Sequence, residues 1–359
     1  MPFTWHVHDT STGERLMDVE PVSGSWESKL NGVASGSAVF QLGGTVDVVP
    51  YRALFNVSDW SRTIVTCWNG RPVADGVIKK TDWDMDTDQI TVSYDSYRTM
   101  LSRRTTFGSD GYTGHQANNY FMFTDQSGRS LANNLVWVAQ QGPRAGYDLR
   151  ISYGTRSESG PFDRDYRDYN GVVVEEAMQE LTDSEGGPDV ELRPVLSGRD
   201  VLSWELRAGN PRLSHGRVDF HLGDQHALTG IKRSRDAGRL ASQVYVLGPG
   251  QERKKLWAEA SRSASMGLDV IESMTDQDRQ KALQQRANSL LATYRTGVEQ
   301  WSMSLIASAS PGLSSVYLGT VLRVFFPSGR LVSGWREFRV IGMSGSVSTD
   351  SVALTVEVV

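Results

Sequence analysis

The chain has 359 residues, 39.7 kDa, with 39% hydrophobic and 22% charged residues, the balance of a folded protein of two or three domains rather than a disordered one. A net charge of -5 argues against general nucleic-acid binding, and no run of 18 apolar residues is present to cross a membrane as a helix. The single cysteine, Cys67, excludes an intramolecular disulfide and fits a reducing compartment.

Met1-Pro2-Phe3-Thr4-Trp5-His6 lacks the basic and apolar regions of a signal peptide. Ala38 to Leu42 is a short apolar run ended by Gly43-Gly44. Thr63 to Trp68 meets Asn69-Gly70, the strongest short hairpin signal, and Val73 to Ile78 is the return strand. A second hairpin is expected at Asp82 to Asp88, before the alternating strand Ile90 to Tyr94. Short strands joined by tight turns predict a small barrel or sandwich over residues 1–105.

Residues 105 to 128 form a long polar, Gly-rich stretch. A helix is expected from Ser130, as N-cap, to Gln141, where Gly142-Pro143 stops it. A second follows Asn170, with Val173, Val174, Ala177, Met178 and Leu181 on one side. Strands return at Val190 to Val195 and Val201 to Leu206, so residues 106–225 read as a separate mixed α/β domain. The expected second barrel comprises 226–248, including the strand Gln243 to Leu247, and 298–359. A helical insertion, 249–297, interrupts it. In that insertion Thr275 and Asp278 make a variant capping box, and Leu283, Ala287, Leu290, Leu291 and Tyr294 recur at helical spacing. After Gly297 the strands are Ser302 to Ile306, Val321 to Phe326, Glu337 to Ile341 and Val352 to Val358.

The two β regions read as copies. Asn69-Gly70-Arg71-Pro72-Val73-Ala74-Asp75-Gly76 compares with Ser328-Gly329-Arg330-Leu331-Val332-Ser333-Gly334 with one gap. Thr87-Asp88 compares with Thr349-Asp350, and Ile90 to Tyr94 with Val352 to Val356. Upstream, Ala34-Ser35 and Phe40 to Gly43 compare with Ala241-Ser242 and Tyr245 to Gly248. The expected fold class is therefore mainly β with α+β parts: two related β-barrels, a mixed α/β domain between them and a helical insertion in the second. Three such chains supply six similar units, enough to cap a six-fold tube.

Val22-Ser23-Gly24-Ser25-Trp26-Glu27-Ser28-Lys29-Leu30-Asn31-Gly32, with Gly36 to Phe40, resembles the opening of siphophage tail hub proteins, also called baseplate hub or minor tail proteins. Trp68 to Gly76 looks like that family's next strand pair. Leu318 to Val321 and Arg339 to Ser344 look like its closing barrel. The resemblance covers both ends and is weakest over 106 to 225. It implies a non-enzymatic structural subunit: a homotrimer joining the tail tube or distal tail ring to tip or fibre proteins. It also implies a central channel for DNA in transit, with the tape measure protein as a further neighbour. The location implied is the virion tail tip, after assembly in the host cytoplasm. Larger relatives carry an added peptidase or lysin region, for which the expected domains leave no room.

Several residue groupings imitate chemical motifs. Asp84, Asp86 and Asp88 imitate an EF-hand, but Gln89 and Asp95 stand where Gly and Glu are required. His6 and His8 share a strand face without further ligands, and His215, His221 and His226 lack a zinc signature. Gly248-Pro249-Gly250 lacks the Gly-Lys-Ser/Thr ending of a phosphate loop. The sequence therefore gives no catalytic, cofactor-binding or metal-binding residue. The alternatives to a hub are a host-receptor or carbohydrate-binding tail module, because the chain is rich in Trp and Gly, and a tail-associated cell-wall hydrolase.

Overall fold

A computed structural model of the chain describes residues 3–42, 54–55, 57–112, 120–198, 200–223, 226–274, 280–295, 298–329 and 331–359. The sequence features Gly43-Gly44, Thr275, Asp278, Gly297 and Arg330 lie outside these residues. Two compact units are present, Met1–Ile231 with Ser302–Val359, and Lys232–Trp301.

The larger unit opens with β1 (Phe3–Asp9), β2 (Arg15–Val19), β3 (Ser23–Lys29), β4 (Ser35–Gln41), β5 (Arg62–Trp68), β6 (Arg71–Asp84) and β7 (Gln89–Asp95). Asn69 and Gly70 both take positive φ, 48° and 78°, the geometry that joins β5 to β6 in a two-residue turn. Tyr94 of β7 accounts for two glycines. A Cβ on Gly36 of β4 or Gly76 of β6 would lie 2.4 or 2.2 Å from its ring, and its hydroxyl donates to Ser25 O at 3.0 Å.

Next come β8 (Tyr120–Gln126), α1 (Gly128–Ala139), β9 (Ile151–Ser152), β10 (Phe162–Arg167), α2 (Val174–Asp183), β11 (Val190–Leu196) and β12 (Leu202–Ala208). The expected long loop thus contains a strand, β8, paired with β10. The cap of α1 is Ser127 rather than Ser130, because Ser127 Oγ accepts from Ser130 N at 3.1 Å. This layer is not a separate domain. Leu131, Leu135, Met178, Leu181 and Trp204 share one core with Val65, Cys67, Val77 and Leu101.

The remaining strands of this sheet are β13 (Arg217–His221), β14 (Leu228–Asp236), β18 (Val298–Ile306), β19 (Val321–Phe326), β20 (Gly334–Ser346) and β21 (Ser351–Val358). The strands β15 (Gln243–Leu247), β16 (Trp257–Ser261) and β17 (Asp269–Ser273) belong to the smaller unit.

The two strand regions form one open sheet, and no closed barrel forms among the described residues. The amino-terminal strands run in the order β3-β4-β7-β6-β5-β1-β2, and the carboxy-terminal ones β14-β18-β21-β20-β19-β13. A first barrel would need β3 to return to β2. Instead β3 pairs with the far half of β20, where Gly345 faces Trp26 and a Cβ would meet that ring at 2.7 Å. The near half of β20 pairs with β19.

Strand order repeats across the seam: β3, β4, β7, β6, β5, β1 stand as β14, β18, β21, β20, β19, β13 do. The long strands β6 and β20 each carry a bulge against the following strand, at Lys79 and at Ile341. From each bulge the same number of residues leads to Gln89 and to Ser351, which open β7 and β21. One direction differs, since β1 is antiparallel to β5 and β13 parallel to β19. The first half of the sequence alignment fails, because Gly76 lies inside β6 whereas Gly334 opens β20.

The smaller unit corrects the expected second barrel and helical insertion. It holds β15 (Gln243–Leu247), β16 (Trp257–Ser261) and β17 (Asp269–Ser273), with α3 (Gln280–Tyr294) on one face. The β15 strand is the centre of this sheet, antiparallel to β16 and parallel to β17, so its match to β4 was turn chemistry alone. Leu283, Ala287 and Leu290 of α3 bury against Val244, Val246, Ala258 and Ala260. The helix stripe is therefore covered within its own unit. Gln280 and Gln284 donate to Trp257 O at 2.8 Å and Glu259 O at 2.7 Å along the outer edge of β16. Such bonds blunt a strand edge. Leu290→Asp should put a charge into this core at a cost of several kcal/mol. Hydrogen exchange should then show lost protection in β15 and β16 with β5 to β7 still protected.

Candidate assembly surfaces

Side chains that resembled chemical motifs are held in structural roles. Cys67 and His6 face each other on β5 and β1, Sγ to Nδ1 4.0 Å, but both are buried. Burial pushes the Cys67 thiol up to about 12 and lowers His6 and His8 from their ordinary values. A thiol so placed stays protonated at neutral pH, whereas a nucleophile needs the thiolate. His8 Nδ1 is bonded to Gly13 O at 3.0 Å in the β1–β2 connection.

The three later histidines are not gathered. His215 lies on Tyr317, ring centroids 4.1 Å apart, and His221 packs on Trp335 at 4.8 Å. Among the described residues no group of three His, Cys, Asp or Glu side chains is placed to hold a metal ion. In the acidic hairpin, Asp84 Oδ1 accepts from Asp86 N at 2.9 Å and Thr87 N at 3.4 Å, and Trp83 Nε1 donates to Asp88 at 3.2 Å. The hydrogen bonds from Thr87 and Asp86 hold the Asp84 carboxyl below its ordinary value. These carboxylates shape a turn.

Two buried polar junctions, which sequence reading missed, hold the larger unit together. In the first, Arg339 of β20 reaches the Asp189 carboxylate and Glu357 of β21, the latter at 2.7 Å, with Arg339 and Asp189 each 6% exposed. Asp189 also accepts from Leu213 N at 2.8 Å, and Asn31 Oδ1 accepts from Val190 N at 2.7 Å. This set of bonds ties the end of β3, the start of β11 and the closing strands. In the second, the buried Asp75 of β6 accepts through Oδ2 from Trp204 Nε1 at 2.8 Å and Tyr97 N at 3.3 Å. Burial raises its carboxyl to about 6, against the lowering effect of those two bonds. What the two junctions provide is a sheet and an α/β layer fixed to one another.

Exposed apolar side chains include Trp83 and Met85 between β6 and β7, Leu331 between β19 and β20, and Trp257, Met266 and Ile271 on the smaller unit. No helix among the described residues is long and apolar enough to cross a membrane.

No protein-family model matches the chain, and no curated protein matches it in sequence. Solved structures do match in fold. The tail protein from Neisseria meningitidis MC58 is similar with a TM-score of 0.60 at 13% identity, over 99% of this chain and 96% of that one. The 43 kDa tail protein of prophage MuSo2 from Shewanella oneidensis is similar with a TM-score of 0.60 at 10% identity, over 99% and 98%. A chain of the Francisella PdpA–VgrG complex is similar with a TM-score of 0.51 at 8% identity, over 99% of this chain and 57% of that one. The fold is that of phage tail proteins.

Proposed function

We propose that the chain is a structural hub of a long-tailed phage, a homotrimer in which each subunit contributes two similar strand sets to a pseudo-six-fold ring. The observation that carries this reading is the repeated strand order on either side of the β3–β20 seam, with bulges in matching places. One strand set then spans residues 1–105, and its copy is built from β13, β14 and β18 to β21. A duplicated unit in a three-fold ring meets a six-fold tube without a symmetry mismatch. The ring would stand at the tail tip, between the tube or distal tail ring and the tip or fibre proteins. It would surround the channel for DNA, with the tape measure protein as a further neighbour and assembly in the host cytoplasm.

The buried, protonated Cys67 and the dispersed histidines support a role without catalysis. The symmetry of the native tail tests the proposal. Three copies per ring are expected, and six copies or one would reject the pseudo-six-fold arrangement. The isolated chain can be monomeric where closure depends on neighbours.

A further inference from the structure

Charge is unevenly divided along the chain. The smaller unit, 232–301, holds twelve Lys and Arg against eight Asp and Glu, although the whole chain has 37 against 42. The excess basic charge includes the turn leading into β16, where Arg253, Lys254 and Lys255 form no ion pair with a described residue. Next to them in the chain is Trp257, 52% exposed, where β16 pairs with Leu247 of β15. Farther along the sheet face away from α3, Ile271 shares a row with Tyr245 and the acidic Glu259, so the basic part of this surface is the turn with Trp257. Large apolar side chains next to unpaired cations suit a partner surface that is acidic and apolar together.

The larger unit presents such a surface at the β6–β7 tip. Trp83 is 54% and Met85 73% exposed, and Asp84 and Asp86 beside them have no ion pair with a described residue. We propose that the basic turn 253–255 with Trp257, in one subunit's smaller unit, docks on the Trp83–Met85 tip of a second copy of this chain. The two surfaces differ, so the contact is head-to-tail, the type that closes rings. This inference rests on the ring reading and names one of its interfaces. Apolar contact supplies the attraction, and the opposed charges set partner and register.

A charge swap in the full-length chain tests it, read by sedimentation at low ionic strength with near-UV circular dichroism as the check on folding. Lys254→Glu with Lys255→Glu, or Asp86→Lys, should each weaken self-association roughly tenfold or more. An equimolar mixture of these two variants should form mixed pairs but no closed trimer, because a ring of three always sets one variant against its own kind. The chain carrying all three changes should recover the trimer. If trimers persist unchanged in both variants, this contact is wrong while the ring stands. A wild-type chain monomeric up to roughly 1 mM overturns the contact as well. In that case the native tail's symmetry decides separately whether the ring reading falls with it.

Discussion

Arg339→Ala is expected to lower the stability of the larger unit by about 3–5 kcal/mol, the cost of leaving one member of a buried ion pair without its partner. Asp189 would keep its bonds from Leu213 N and Asn31 but lose the guanidinium, in a place where water does not reach. Glu357 would also lose its 2.7 Å contact, retaining Arg212 at 3.0 Å. The damage should concentrate where β20, β3 and the start of β11 meet, because those segments share the junction. Hydrogen exchange should therefore speed up first in Ser23–Lys29 and Gly334–Ser346. Combining Arg339→Met with Asp189→Asn should restore much of the loss, since replacing both charges removes the unpaired one. Denaturant unfolding of the single variant within about 1 kcal/mol of wild type would show that the pair is dispensable.

This junction also marks what the sequence could and could not disclose. Hairpins were legible because their signals are local. Asn69-Gly70 specifies a turn with two positive φ angles whatever surrounds it, and the alternation from Ile90 to Tyr94 matches β7 with Val92 and Tyr94 buried. The repeat was legible for the same reason in its second half, where bulge, turn and return strand advance in step. Pairing partners were not legible. The β3 strand carries few apolar residues, and nothing local says that its free edge meets β20 rather than β2. That single long-range choice turns two expected barrels into one sheet.

The misplacement of β15 has a similar cause. Gln243 to Leu247 alternates as any half-buried strand does, and its burial only acquires an address from α3, through Leu283, Ala287 and Leu290. In the acidic hairpin Asp84 accepts from turn amides, and Cys67 is buried, neither of which the sequence discloses. Arg339 and Asp189, far apart in the chain, gave no signal. Only a charged residue inside an otherwise strand-like run, as Arg339 is between Phe338 and Val340, hinted at a buried partner.

Stability should also report the second junction, through its dependence on pH. Asp75 is held at about 6 in the folded chain, above the ordinary carboxylate value of 3.8, because burial penalises its charged form. The folded state therefore binds the proton more tightly than the unfolded state, and stability contributed by Asp75 falls as pH rises from about 4 to about 6. Above that window the penalty is complete, about 3 kcal/mol for a shift of this size. Asp75→Asn removes the ionisation while keeping one oxygen that can accept from both Trp204 Nε1 and Tyr97 N, since the two bonds converge on a single oxygen. The Asn variant should gain on wild type by about 2 kcal/mol between about pH 4 and pH 7. Other carboxylates titrate in both proteins and cancel in the difference. Parallel denaturation curves of the two proteins at several pH values measure it directly. A difference independent of pH would mean that Asp75 titrates alike in the folded and unfolded chains. The carboxyl would then owe nothing to burial, and its two bonds would hold the layers together at every pH.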